Sequence, residues 1–269
     1  MIRTRPFEGR VDETEWIALR EVVPSATAPL RLKDPQYADR AVTLSTVLPM
    51  AWPAMVRADG TAFVGLQTPG RSGDVSRDVA QAIVAALAAE PGTAVQQLGR
   101  EDDGPRLQDL LVDEPLDVTV HDGFDFWVDG VADPTGEVSA SMERANASVV
   151  PTARLSSVMS AYWCRMRERC HLRWAMPDDE DQLLDAMARL SAGQALGLGD
   201  GTKYVGSFRA HGLLVPVWDL PLAMTADECE APAAALRARL DTDLAAPRPL
   251  TDDERRARSA LLSRQLTLR

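Results

Sequence analysis

Ala54-Met55-Val56-Arg57-Ala58-Asp59-Gly60-Thr61-Ala62-Phe63-Val64-Gly65-Leu66 reads as two short apolar strands folded back at Asp59-Gly60, a dipeptide suited to tight hairpins. A second such unit follows downstream. Val205, Phe208 and Arg209 precede His211-Gly212, and Leu213, Val215 and Val217 follow it. Strands joined by turns this short pair antiparallel, since a parallel pair needs a long crossover. The hairpins therefore predict an α+β fold rather than a doubly wound parallel sheet.

Arg57-Ala58-Asp59-Gly60 is echoed by Arg209-Ala210-His211-Gly212. Upstream, Asp12, Ser25 and Leu32 match Asp178, Ser191 and Leu198 at one constant spacing, and each set brackets an acidic helix start and its end. The pattern predicts an internal duplication: two related lobes, each a meandering antiparallel sheet covered by helices. The lobes are expected at 1–98 and 113–250. A linker at 99–112 carries Gly99 to Pro105, and a basic helix and tail occupy 251–269.

Ile2 to Phe7 reads as a strand. Trp16, Leu19 and Val23 recur at helical spacing before Pro24. Val42, Leu44 and Thr46 alternate as a strand. Ser76 is expected to cap a helix whose apolar face is Val79, Ile83, Val84 and Leu87. Val118 to Val128 alternates around Asp122-Gly123 and predicts a hairpin opening the second lobe. Leu155, Val158, Met159, Tyr162, Trp163 and Met166 fit one face of a helix, with Arg165, Arg167 and Arg169 off it. Leu172, Trp174 and Met176 read as a strand. Thr225 starts a helix with Ala233, Leu236 and Leu240 on one face. Thr251 and Glu254 form a capping box that opens the last helix.

The chain has 269 residues, 45% of them hydrophobic, and a net charge of −11. The acidic balance argues against a general binder of nucleic acid or anionic membranes. Positive charge is carried almost wholly by arginine, with Lys33 and Lys203 the lysines. No stretch approaches the roughly 18 apolar residues of a membrane span, and Met1 to Arg5 opens no signal peptide. A cytoplasmic location is expected.

Chemistry-bearing motifs are few. Gly65 to Ser72 has the spacing of a phosphate-cradling loop, but Arg71 stands where the loop needs lysine, and the preceding strand belongs to a hairpin. It reads as a turn, with Arg71 a weak anion contact. His211 and its counterpart Asp59 both suit a turn. Asp219 is expected at the opposite strand end from His211. Cys164, Cys170 and His171 match no common zinc spacing and are expected to lie apart on a helix and a strand. No catalytic residue, cofactor or metal ligand is assigned. The tail carries Arg255, Arg256 and Arg258, expected to pack on the protein's own acidic body or to touch a partner such as RNA.

Arg5-Pro6-Phe7-Glu8-Gly9, Trp16-Ile17-Ala18-Leu19-Arg20-Glu21, Phe208 to Pro221 and Arg264 to Arg269 together resemble an uncharacterised actinobacterial family across essentially the whole chain. The resemblance implies no activity. Its longer members carry an N-terminal zinc motif like the one ending the SecA motor, and some bear translocase or topoisomerase labels on that account. The residues from Met1 onward contain no such motif.

The leading expectation is a non-enzymatic binding or adaptor protein with an unidentified protein partner. The alternative is an enzyme or sensor for a small anionic ligand in a groove between the lobes, held by Arg57, Arg71 and Arg209.

Overall fold

Trp16, Ile17 and Leu19 supply the buried stripe of α1 (Glu13–Glu21), and acidic residues fill its first turn, where the helix dipole favours them. This helix opens the first of two compact units, Met1–Val150 and Pro151–Arg269. The protein is described here from a computed structural model covering residues 2–70, 72–99, 104–128 and 137–264. Residues 2–7 do not form the expected strand. Arg5 is drawn to Glu13, with donor distances of 3.0 and 2.7 Å, and Phe7 stacks on Trp16 at 5.5 Å, so the segment turns back onto α1.

The first unit continues with β1 (Ala26–Leu30), β2 (Val42–Ser45), β3 (Ala54–Val56), β4 (Ala62–Gly65), α2 (Val75–Ala88), β5 (Ala94–Val95), α3 (Leu107–Leu110), β6 (Thr119–Val120) and α4 (Glu137–Asn146). The sheet order is β5-β3-β4-β2-β1-β6. Every pair is antiparallel except β2 with β4. The β3–β4 hairpin forms, but through a three-residue loop rather than the two-residue turn read from Asp59-Gly60: Gly60 N–H reaches Arg57 O at 2.9 Å, and Gly60 takes a left-handed φ of 87°. Asp74, not Ser76, caps α2, because its carboxylate accepts the Ser76 N–H. Ser76 is buried and bonds Gln108 and Leu107 instead. Val84, expected on the apolar face of α2, is exposed.

Two segments differ from the lobe plan. Arg106 bonds Asp74 and Pro6 O at 2.7 and 2.6 Å, and Leu107 is fully buried, so this end of the expected linker is knitted into the first unit. The Val118 to Val128 hairpin does not form. Its first part, β6, pairs with β1, and Asp125–Trp127 makes a single 3-10 turn.

The second unit holds β7 (Thr152–Arg154), β8 (Ala161–Met166), β9 (Arg169–Trp174), α5 (Glu180–Ala192), β10 (Lys203–Ala210), β11 (Leu213–Leu220), α6 (Ala226–Ala245) and α7 (Asp252–Leu262). The order β10-β11-β9-β8-β7 is antiparallel throughout. The helix expected over 155–166 does not form: residues 155–160 make a turn and 161–166 are strand β8. Ala161 and Trp163 face the α5–α6 core opposite Trp174 and Leu172, while Tyr162 and Cys164 are buried on the other face. Burial on both faces erases the period-2 alternation, leaving an apolar run that mimics a helical stripe. The core is built on Trp174, Trp218 and Tyr204, and Trp218 Nε1 donates to Leu196 O at 2.8 Å.

The protein is thus a mixed α+β fold with two antiparallel-rich sheets. The sheets differ in strand number and order, and the parallel pair of the first has no counterpart in the second. The hairpin echo is also looser than its sequence suggests. The β10–β11 turn has two residues, His211 and Gly212, at φ 48° and 83°, against three in the β3–β4 loop.

Candidate functional site: an aromatic groove

α2 packs against β3 and β4 of the first sheet. Met55 and Phe63, paired across β3 and β4, point to the opposite face, since side chains alternate along a strand. Leu48, Met55 and Phe63 form a small core there, with Trp52, Ala94, Phe126 and Trp127 packed on it. Trp52, Met55, Val56, Arg57, Gly92, Ala94 and Trp127 line a cavity of about 470 Å³ at this edge of the sheet.

Two devices hold its walls. The loop between β2 and β3 places Met50 and Ala51 consecutively in the left-handed region, at φ 51° and 53°. Such backbone costs about 1–3 kcal/mol per non-glycine residue and is concentrated at functional sites. Here it leaves Met50 87% exposed and turns Trp52 into the groove wall. Gly65 is required behind it, because a Cβ there would sit 2.8 Å from Trp52 O.

The opposite wall is Trp127. Its Nε1 donates to Val47 O at 3.1 Å, and its ring stacks on Phe124 at 4.3 Å. Asn146 of α4 clamps the approach: Oδ1 accepts Phe124 N–H at 2.7 Å and Nδ2 donates to Asp125 at 3.0 Å. The amide sits where a Cβ on Gly123 would lie, 2.6 Å from Oδ1. His121 completes the cluster, against the Phe126 ring at 4.7 Å and Thr27 Oγ1 at 2.8 Å, and burial pushes its pKa down.

Arg57 stands at the rim. Its guanidinium lies 5.7 Å over the Phe63 ring, 3.5 Å from Asp59 and 3.5 Å from Phe126 O. Arg209, His211, Arg255, Arg256 and Arg258 belong to the second unit. Arg209 is bound to Glu180 of α5 at 2.8–2.9 Å through Nε, which raises its pKa. His211 occupies its turn. Arg255 and Arg256 pair with Asp252 and Asp253 on their own helix. Arg258 alone of the three reaches the body, binding Asp181 and Asp185 of α5 at 2.6 Å each. Arg71 lies outside the described residues, as does the chain beyond Arg264.

Cys164 and His171 are not separated as expected. They are cross-strand partners, and Asp219 is the next residue in the same row. Asp219 therefore faces His171, with Oδ1 2.8 Å from Nδ1 but off the axis of a hydrogen bond. Burial lowers the His171 pKa despite Asp219, and burial raises the Cys164 thiol. A thiol 2% exposed and pushed up in pKa is a poor nucleophile. Cys170 points to the core face instead, and burial raises Cys229 to about 11. Among the described residues no cluster of three or more His, Cys, Asp or Glu side chains has metal-binding geometry.

Sequence reasoning missed Met50, Trp52 and Trp127. The available signal was the Pro49-Met50-Ala51-Trp52-Pro53 loop, which places large apolar residues between two prolines where a polar connection is usual. A family described as Family of unknown function (DUF5926) matches residues 6–269. No curated protein and no solved structure matches the chain.

Proposed function

We propose, for a chain that belongs to the DUF5926 family and takes no activity from that membership, a protein-binding or adaptor function in the cytoplasm, with the aromatic groove of the first unit as the docking surface. The observation that carries this reading is the pairing of an apolar groove with a strained loop that holds Met50 out in solvent. Trp52, Trp127, Met50, Met55 and Arg57 are the residue types enriched where partner proteins bind, and the groove's size suits the apolar side chains of a partner segment. No described helix is long and apolar enough to cross a membrane. The enzyme or sensor reading draws less support, because Arg57 and Arg209 already have carboxylate partners in Asp59 and Glu180.

The test is site-specific photo-crosslinking in the native cell from position 50, compared with exposed position 200 in the second unit. A partner captured from position 50 is then purified, and its affinity measured for the wild type, Met50→Glu and Trp52→Ala. Loss of a central aromatic anchor costs at least about 2 kcal/mol, or some thirtyfold in affinity. Equal capture from both positions, or affinity unchanged by both substitutions, refutes the proposal.

A further inference from the structure

A surface of the second unit differs from the groove in composition. The β8–β9 hairpin carries Arg165, Arg167, Arg169 and Arg173 around the single carboxylate Glu168, in a protein whose net charge is −11. The pairing of Met166 with Arg169 leaves Arg167 and Glu168 as the turn, and Arg165 to Arg169 are all exposed. Met166 sits among them at 41% exposure.

The arginines converge. Met166, Arg169, His171 and Arg173 share one face of the sheet, since strand neighbours alternate and the register places Met166 opposite Arg169 and Cys164 opposite His171. The Arg173 guanidinium reaches back to Met166 Sδ at 3.1 Å. Arg173 and Arg169 both press the His171 imidazole toward its neutral form, so both charges are felt at one place. Arg165 leaves the hairpin on the other face, over the Trp163 ring at 5.3 Å and bonded to Leu222 O. No ion pair neutralises Arg165, Arg167, Arg169 or Arg173 among the described residues, whereas Arg209, Arg237, Arg248 and Arg258 all have carboxylate partners. Asp219 is an acidic group on the same face, and it sits against His171.

We infer that the β8–β9 hairpin is a docking surface for an acidic segment of a partner protein, its carboxylates meeting Arg167, Arg169 and Arg173 and an apolar side chain meeting Met166. Charge complementarity selects the occupant: guanidinium groups bind carboxylates with two parallel hydrogen bonds, and the chain's net charge of −11 disfavours an acidic segment over the surface at large. Single-stranded RNA is the less suitable anion. Its binding sites stack bases on exposed aromatic rings, and the aromatic residues of this hairpin, Tyr162, Trp163 and Trp174, are buried.

The experiment uses the full chain and fluorescence anisotropy. The probes are a labelled synthetic peptide rich in Glu and Asp around a central Leu, its Gln/Asn counterpart, and a single-stranded RNA of matching length. The variants are R167E/R169E and, as a control of equal charge change on α7, R255E/R256E. Matching circular dichroism melts show that each is folded, with R167Q/R169Q as the milder substitute. The acidic peptide should bind, weaken with added salt, and lose about tenfold or more in affinity in R167E/R169E but not in R255E/R256E. Absence of peptide binding, equal loss in both charge-reversed variants, or tighter binding of RNA that is lost in R167E/R169E overturns the inference.

Discussion

Replacing Leu261 by alanine and, separately, Arg258 by alanine decides what holds the last helix on the body. Both side chains belong to α7 and both face α5 or its surroundings, but they act through different forces. Leu261 is 3% exposed and belongs to the core of the second unit, with Ala257 and Leu262 packed beside it. Truncating a buried leucine removes its transfer free energy and leaves a cavity, at about 2–5 kcal/mol. The site lies at the core's edge, where relaxation is easiest, so about 2–3 kcal/mol is expected. Arg258 binds Asp181 and Asp185, whose side chains are 87% and 36% exposed. Exposed ion pairs contribute about 0–1 kcal/mol each, because water screens them and long side chains lose freedom in making them. Arg258→Ala should therefore cost about 1 kcal/mol and lose its effect at high salt. At about 2–4 °C per kcal/mol for a chain of this size, the shifts in Tm are roughly 4–12 °C for Leu261→Ala and 2–4 °C for Arg258→Ala. Thermal melts at low and high salt, with hydrogen exchange across α7, measure both. If Arg258→Ala destabilised more than Leu261→Ala, the anchoring would be electrostatic and the burial argument would fail.

Gly123→Ala should destabilise the first unit by about 1–3 kcal/mol, because the new methyl meets the Asn146 amide, and Asn146→Ala in the same chain should recover part of the loss in urea unfolding monitored by Trp127 fluorescence. Ala51→Gly should raise stability by up to about 1 kcal/mol by relieving left-handed strain, while weakening partner binding at the groove by loosening Trp52; calorimetry of the free and bound protein separates the two. Stability should also fall in acid in two windows. Burial lowers the folded pKa of His121 and His171 below 6.5, so the unfolded chain takes up protons first and stability drops as pH falls from about 6.5, a limb that His171→Gln should flatten. Glu254 is held at about 2 by Arg248 and Thr251 against an ordinary 4.5, so its contribution is present above 4.5 and disappears as pH falls toward 2; urea midpoints of the wild type and Glu254→Gln should converge there.

Some turns and caps were legible from residues alone, although the α2 cap is Asp74 rather than Ser76 and Asp122-Gly123 makes no hairpin. Asp59-Gly60 and His211-Gly212 reverse the chain where their backbone tolerance allows it, and Thr251 with Glu254 and Thr225 with Glu228 close capping boxes. The acidic starts of α1 and α5 are likewise readable, as is the antiparallel character that follows from short connections. Each depends on contacts within a turn or two of chain, so the order of residues contains the whole interaction. Other features depend on distant partners. Tyr162 and Trp163 became strand residues because β7 and β9 flank them and both sheet faces are buried. Thr119 and Val120 joined the first sheet through β1, which is remote in sequence. The groove needed Gly65 behind Trp52 and Asn146 behind the approach to Trp127, and the basic hairpin was hidden as long as Arg165, Arg167 and Arg169 were read on a helix. Local hydrogen bonds and caps are determined by neighbouring residues, but which strands pair, and which faces water leaves, is decided only when the whole chain minimises its exposed apolar surface.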